Sequence, residues 1–339
     1  MKVIVDDKIP YISPAIEAIA DEVVYLPGAE FSPESIADAD ALIIRTRTKC
    51  DKHLLQGSNV KFIATATIGY DHIDTEYCRQ AGIYWTNAKG CNSSSVAQYI
   101  ESCLILLEKE QGISLSNATI GIVGVGNVGS KVKEIATNYG MKVLLNDPPR
   151  ADIEGEEGFS GLEELMNECD IITFHVPLSK DEPYKTWHMA DDAFFRSIGR
   201  KPVIINTSRG EVIRTEALLA ALESGQISHA IIDVWENEPH IDLRLLQKAL
   251  IATPHIAGYS ADGKANATRM SLESLCAYFD VKGNFEIVPP PPPVVVLPPY
   301  TKEKLLEMYD PRMDSSKLKE NPELFEWFRG NYPVRRERG

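Results

Sequence analysis

Short apolar runs recur along this chain at intervals that leave room for a helix between each pair. The first series stands at Val3–Val5, Val23–Leu26, Leu42–Ile44, Phe62–Ala64 and Ile83–Trp85. The second stands at Ile120–Val123, Val143–Leu145, Ile171–Phe174, Val203–Ile205, Ala230–Val234 and Leu250–Ala252. Runs that are apolar throughout, rather than at alternate positions, predict strands buried on both faces, as in parallel sheets flanked by helices. Between the two series, Val96, Tyr99, Ile100, Cys103, Leu104 and Leu107 repeat at helical spacing. With Asn92 or Ser93 as cap and Gly112 as stop, they predict one long helix.

The expected fold is therefore α/β, with two doubly wound parallel sheets: a flavodoxin-like unit first and a Rossmann-type unit second. A helical stretch from about Ala261 to Tyr278 is read as crossing back to the first unit. The boundaries that follow are 1–93 completed by 259–284 for the first unit, and 94–258 for the second. Residues 285–339 are left as a proline-rich spacer and a short C-terminal segment. Pro289–Pro293, Pro298 and Pro299 lack the backbone donors that a helix interior or central strand needs, so an extended spacer is expected. Beyond it, Leu305, Leu306, Leu324, Phe325, Trp327 and Phe328 are apolar anchors for a segment too small to be stable alone. Either it packs on the main body or a partner, or it is a partly disordered tail; Arg335, Arg336 and Arg338 are read as solvated.

The chain has 339 residues, enough for two to three domains. Its formal charge of −14 disfavours nonspecific attraction to nucleic acid or anionic lipid, so an anionic substrate needs a local cationic pocket. No apolar run approaches the ~20 residues of a membrane span, and the start of the chain reads poorly as a signal peptide. A cytoplasmic protein is expected. The six cysteines (Cys50, Cys78, Cys91, Cys103, Cys169 and Cys276) have neither zinc-ligand nor C-x-x-C spacing, so no metal is expected and most should be buried thiols.

"TIGIVGVGNVG" leaves an apolar run with Gly124, Gly126 and Gly129 in G-x-G-x-x-G spacing. In that pattern the first glycine makes the strand-to-helix turn, the second admits the pyrophosphate, and the third lets helix and strand pack closely. Asp147 ends the next run 18 residues past Gly129, placed to accept from adenosine ribose hydroxyls and to repel a 2′-phosphate. NAD is the expected cofactor. Arg150 keeps NADP as a lesser alternative, and Asp147 also reads as a plain loop-initiating acid before Pro148.

Three more side chains follow apolar runs: Arg209 in "IINTSRG", Glu238 in "IIDVWENEP" and His255 in "IATPHIAGY". Oxidising a 2-hydroxy acid needs a base for the hydroxyl proton, and imidazole titrates near working pH. Glu238 would fix the tautomer of His255 and stabilise the imidazolium, with Glu236 as a nearby competitor. Arg209 offers a planar fork to a substrate carboxylate. Each residue alone also has a bland explanation as a core histidine, a turn acid or a surface arginine.

"GVGNVG", "NTSRG", "DVWENEP" and "TPHIAG", with "TIGYDHID" and "GCNSSSVAQY", identify the chain as similar to the D-isomer-specific 2-hydroxyacid dehydrogenases from near its start to about residue 283. The resemblance implies an NAD enzyme with Arg209 on the substrate carboxylate, Glu238 supporting, and His255 as acid and base. It implies substrate contacts at Thr46, Thr67 and Tyr259. Cofactor contacts are implied at Asn127, Val128, Asp147, Val176, Thr207, Ser208, Arg209, Asp233 and Gly258, beside the three glycines. Val176 departs from a common threonine, which leaves only its backbone to serve the cofactor. Further stretches such as "VDDKIPY", "NDPPRAD" and "TFHVPLSKDEPYKTWH" narrow the resemblance to a member acting on a small phosphorylated 2-hydroxy acid, as a homodimer through its C-terminal region. Arg45, Arg47 and Lys49 form either a cationic cluster suited to the phosphate, with Arg47 or Lys49 preferred, or a solvated turn. The alternatives are a phosphoglycerate or glycerate dehydrogenase, or an NAD-sensing corepressor on the same scaffold.

Overall fold

The eleven strands of the computed structural model, which describes residues 1–338, form two all-parallel sheets. Strands β1 (Lys2–Asp6), β2 (Glu22–Leu26), β3 (Ala41–Ile44), β4 (Phe62–Thr65) and β5 (Tyr84–Asn87) make a sheet of order β2-β1-β3-β4-β5. This is the flavodoxin-like order. Its faces carry separate apolar clusters, one built on Val3, Val5, Ile43 and Phe62, the other on Ile4, Leu42, Ile44 and Ile63. The helix Ala261–Phe279 supplies Ala265, Leu272 and Leu275 to the first of these, so a distant piece of chain completes the unit.

Strands β6 (Thr119–Val123), β7 (Lys142–Asn146), β8 (Ile171–Phe174), β9 (Val203–Asn206), β10 (His229–Ile232) and β11 (Ile251–Ala252) follow in the second unit. Their order is β11-β10-β9-β8-β6-β7. This differs from the usual dinucleotide-fold order 3-2-1-4-5-6, yet it keeps a switch point between β6 and β8, where neighbouring strands send their connections to opposite faces. Alternation within each strand fills both sides: Ile120, Ile122, Ile171 and Ile205 meet the helix Ser93–Gln111 on one face, while Ile172, Phe174, Ile204 and Ile232 line the other. Side chains so buried contribute ~1.5–3 kcal/mol each, which is why these strands read as unbroken apolar runs.

The chain divides at Asn92/Ser93, Tyr259/Ser260 and Pro291/Pro292 into unit one (Met1–Asn92 and Ser260–Pro291) and unit two (Ser93–Tyr259 and the residues from Pro292 onward). The segment from residue 285 is thus not a body of its own. Ile287 sits in the core of the first unit, whereas Tyr309, Leu318 and Phe325 are buried in the cores of the second. The short strand β11 is an edge that the C-terminal segment covers: the Ala252 N–H donates to the Ser315 hydroxyl at 3.0 Å. Lys319 Nζ reaches the Ala249 carbonyl at 2.6 Å nearby. These residues pack on the second unit rather than trailing as a tail, and Arg335 is buried rather than solvated. That side chain is 5% exposed, lies 4.2 Å from the Tyr309 ring and donates to the Ala257 carbonyl at 2.5 Å.

Candidate active site

At the carboxyl edge of the six-stranded sheet the singled-out residues fall in spatial order. His255 follows β11; Asp233 and Glu238 follow β10; Thr207, Ser208 and Arg209 follow β9; Val176 follows β8; the glycine turn follows β6; Asp147 follows β7. Catalytic candidates thus share one half of the edge, and the dinucleotide features the other.

His255 Nδ1 lies 2.8 Å from Glu238 Oε2 and 3.1 Å from Oε1. Nδ1 carries the hydrogen, since a carboxylate only accepts, and Nε2 is then the basic nitrogen. The Trp235 N–H fixes the other side of Glu238 at 2.9 Å, and the Trp235 indole N–H donates to the Thr253 carbonyl at 2.9 Å. Burial alone would raise the Glu238 carboxyl. The hydrogen bond and charge of His255, the Trp235 N–H and the Arg329 charge outweigh it and hold that carboxyl below its usual range.

His255 adopts a left-handed backbone (φ 56°), sparsely populated for a non-glycine residue. Asp233 stabilises it. Its backbone carbonyl accepts the His255 N–H at 2.7 Å, while its carboxylate takes the Thr253 hydroxyl at 2.7 Å and the N–H groups of Ile256 and Ala257 at 2.8 and 2.9 Å. The resemblance assigns Asp233 to the cofactor. Here the carboxylate also has work inside the protein, on a residue 1% exposed, where it shapes the histidine loop. Glu236 is separately committed, to His188 Nε2 at 2.7 Å and the Thr215 N–H at 2.7 Å.

Arg209 is exposed and donates to the Ser208 carbonyl at 2.7 Å. Asn206 holds its turn: Nδ2 donates to the Arg209 carbonyl at 2.9 Å, and Oδ1 accepts the Ser208 hydroxyl at 2.9 Å. Gly210 is required next, because a Cβ there would stand 1.9 Å from the Trp235 carbonyl carbon. That close approach sets the arginine turn against the turn carrying Trp235 and Glu238.

The glycine turn fits a dinucleotide. The helix Asn127–Asn138 begins at Gly126 with no side-chain cap, leaving first-turn N–H groups for an anion. A Cβ on Gly126 would meet nothing within 4 Å, so the space outside it is open. Asp147 Oδ2 accepts the Val125 N–H at 2.7 Å and Oδ1 the Arg150 N–H at 3.2 Å. It is both a cap for the next helix and an acceptor with lone pairs to spare for ribose. Arg150 pairs with Glu154 at 2.7 Å and donates to the Val125 carbonyl at 2.7 Å, so its charge is already compensated where a 2′-phosphate would need it. Val176 packs its Cγ1 over Gly124, which keeps its side chain off polar duty.

Two contributors escaped the sequence reading. His175 is hydrogen-bonded through Nε2 with the Thr173 hydroxyl at 3.0 Å and through Nδ1 with the Thr207 hydroxyl at 3.3 Å. Burial pushes its imidazole down to about 3, so it is neutral beside the cofactor turn. Arg329, from the short C-terminal helix Phe325–Gly330, stands 3.8 Å from Glu238 Oε2. The arginine's position in a segment read as spacer and tail hid it.

In the first unit, Thr46 is exposed just past β3. Thr67 shares its hydroxyl with Thr65 at 2.6 Å and with the Gly69 carbonyl at 3.0 Å, and Thr65 in turn meets His72 Nε2 at 3.0 Å. Of the expected cations, Lys49 is held by Asp51 at 3.0 Å and Arg45 donates to the Lys8 carbonyl at 3.2 Å, while Arg47 is exposed. Lys264 joins them: burial first, then the Arg45 charge, lowers its ammonium below the usual range.

Residues 97–257 match the model of the D-isomer specific 2-hydroxyacid dehydrogenase NAD binding domain. Over its whole length the chain is 63% identical to an erythronate-4-phosphate dehydrogenase of Bacteroides fragilis, covering 98% of that protein. It is 62% identical to the one of Bacteroides thetaiotaomicron, over 99% of this chain and 97% of that one. Among solved structures, an NAD+-bound 3-phosphoglycerate dehydrogenase of Entamoeba histolytica is 30% identical with a TM-score of 0.67, covering 83% of this chain and 95% of its own.

Proposed function

The chain belongs to the erythronate-4-phosphate dehydrogenases, within the D-isomer specific 2-hydroxyacid dehydrogenases, and from that premise we infer how it oxidises 4-phospho-D-erythronate. The product is (R)-3-hydroxy-2-oxo-4-phosphobutanoate, an intermediate of pyridoxal 5′-phosphate biosynthesis. Bound NAD supplies the hydride acceptor. His255 Nε2 takes the proton of the 2-hydroxyl as the C2–H bond breaks and its electron pair leaves as hydride. Oxygen closes the carbonyl, and one proton and one hydride are accounted for. Glu238 stabilises the imidazolium through Nδ1, and Arg209 holds the C1 carboxylate through its fork. Gly124, Gly126, Asn127, Val128 and Gly129 cradle the pyrophosphate, and Asp147 takes the ribose hydroxyls. Thr207, Ser208, Val176 and Gly258 line the cofactor with backbone or hydroxyl groups. Thr46, Thr67 and Tyr259 contact the substrate, with Arg47 on its phosphate.

One observation carries this reading: a carboxylate 2.8 Å from the imidazole Nδ1, on the sheet edge that also bears an open glycine turn. The same reading has the chain acting in the cytoplasm as a homodimer, supported by Met313, Leu324 and Trp327, apolar side chains that the C-terminal segment leaves exposed. In the test, His255→Ala should lose at least ~1,000-fold in kcat while NADH binds as in wild type. Turnover within tenfold of wild type would remove His255 from the proton step.

A further inference from the structure

The C-terminal segment brings a cation to the catalytic pair. Arg329 Nη1 lies 3.8 Å from Glu238 Oε2, the same oxygen that His255 Nδ1 approaches at 2.8 Å. The same Nη1 donates to Glu326 at 2.8 Å, and the guanidinium lies 5.9 Å from the Phe325 ring, itself 1% exposed in the core. Its Nε is buried with no hydrogen-bond partner among the described residues. A buried donor left unsatisfied is costly, so this position is not one that hydrogen bonding alone selects. Because His255 turns Nδ1 to Glu238, the acid and its arginine stand on the side of the ring away from Nε2. Arg329 therefore acts on the reaction through Glu238.

We propose that Arg329 is a positioning residue of the active site, a fixed cation that holds Glu238 in place and tempers its pull on the imidazolium of His255. The proposal rests on the role given to His255 above. A carboxylate alone would favour the protonated ring and hinder proton uptake at low pH; a cation on the same oxygen offsets part of that. The charged and titratable groups around the pair are Glu238, Asp233, Tyr259 and Arg329, with Glu326 on the arginine's Nη1 and Arg335 near Asp233. Arg335 is coupled to Asp233 and ties the segment to the Ala257 carbonyl at 2.5 Å, so it serves as an anchor and Arg329 as the electrostatic element.

The test is the pH profile of kcat/KM for 4-phospho-D-erythronate at saturating NAD+, for wild type, Arg329→Gln and Arg329→Lys. Removing the cation favours the imidazolium, so the acid limb of Arg329→Gln should move up by about 0.5–1 pH unit. Arg329→Lys, which keeps the charge, should stay with wild type. In the reverse direction, where the protonated ring is needed, the alkaline limb of Arg329→Gln should move up as well. A lower kcat with unmoved limbs would assign Arg329 to packing and overturn the proposal. Should Arg329→Gln melt too low to assay, Glu326→Gln on the exposed side frees the arginine charge and should move the acid limb down; an unmoved limb there also overturns it. Loss of turnover in His255→Ala with no displacement in the arginine variants would sink only this inference, whereas retained turnover in His255→Ala would sink the reading beneath it.

Discussion

Two glycines three residues apart should fail in opposite ways when given one methyl group. At Gly129, an added Cβ would stand 2.0 Å from the Gly124 carbonyl oxygen, against an ordinary contact of 3.4–4 Å. The obstacle is backbone, which cannot rotate away as a side chain would. Overpacking of this kind costs about 1–3 kcal/mol and more against main chain, so Gly129→Ala should melt on the order of 5–10 °C lower. At Gly126 the added Cβ would meet nothing, although the backbone (φ −79°, ψ −149°) lies at the margin of what alanine adopts. Gly126→Ala should therefore lose less than Gly129→Ala, melting within about 5 °C of wild type, because the backbone strain is offset in part by the narrower unfolded ensemble of alanine. Its methyl occupies the space that a pyrophosphate oxygen needs, and NADH affinity should fall at least ~10-fold, about 1.4 kcal/mol. Thermal denaturation and NADH fluorescence titration on both variants separate the effects. If Gly126→Ala binds NADH as wild type does, the dinucleotide does not lie on this turn and the reasoning is refuted.

Arg209→Lys replaces a two-pronged donor with a point charge, so KM for the hydroxy acid should rise at least ~10-fold while the NADH dissociation constant stays within about twofold; unchanged steady-state kinetics would count against the carboxylate role. His175 gives a stability prediction. Its folded-state value is pushed down to about 3, so between there and the unfolded value near ~6.5 the unfolded chain binds more protons. Its contribution is complete above ~6.5 and is lost as pH falls, by at most about 2 kcal/mol between pH 6.5 and 5. His175→Gln should flatten melting temperature over that interval, and an unchanged slope would show that the acid sensitivity lies elsewhere.

Both sheets were legible because parallel strands buried on two faces cannot hide their composition: Ile171–Phe174 and Val203–Asn206 are buried at every position. Arg209, Glu238 and His255 were legible because each ends such a run. Their connections were not, since the bonds that shape the histidine loop span 20 to 24 residues, from Asp233 to Thr253, Ile256 and Ala257. His175 was silent for a similar reason, as its two hydroxyl partners come from β8 and from the turn after β9. The place of the C-terminal segment stayed open because its short helices carry no periodic stripe of their own. What orders it is the edge of β11 and the core beneath, and neither is visible in "PELFEWFRG". Arg335 reads as solvent-facing among Arg336 and Arg338, and the rings of Tyr309 and Tyr332 with the Ala257 carbonyl explain its burial.

The most direct measurement is the initial rate of NAD+ reduction on 4-phospho-D-erythronate, set beside D-erythronate, 3-phospho-D-glycerate and D-glycerate. The account predicts kcat/KM highest for 4-phospho-D-erythronate, by at least ~100-fold over the unphosphorylated acid, as loss of a charge-paired phosphate should produce. A preference for 3-phospho-D-glycerate or for an unphosphorylated acid would contradict it.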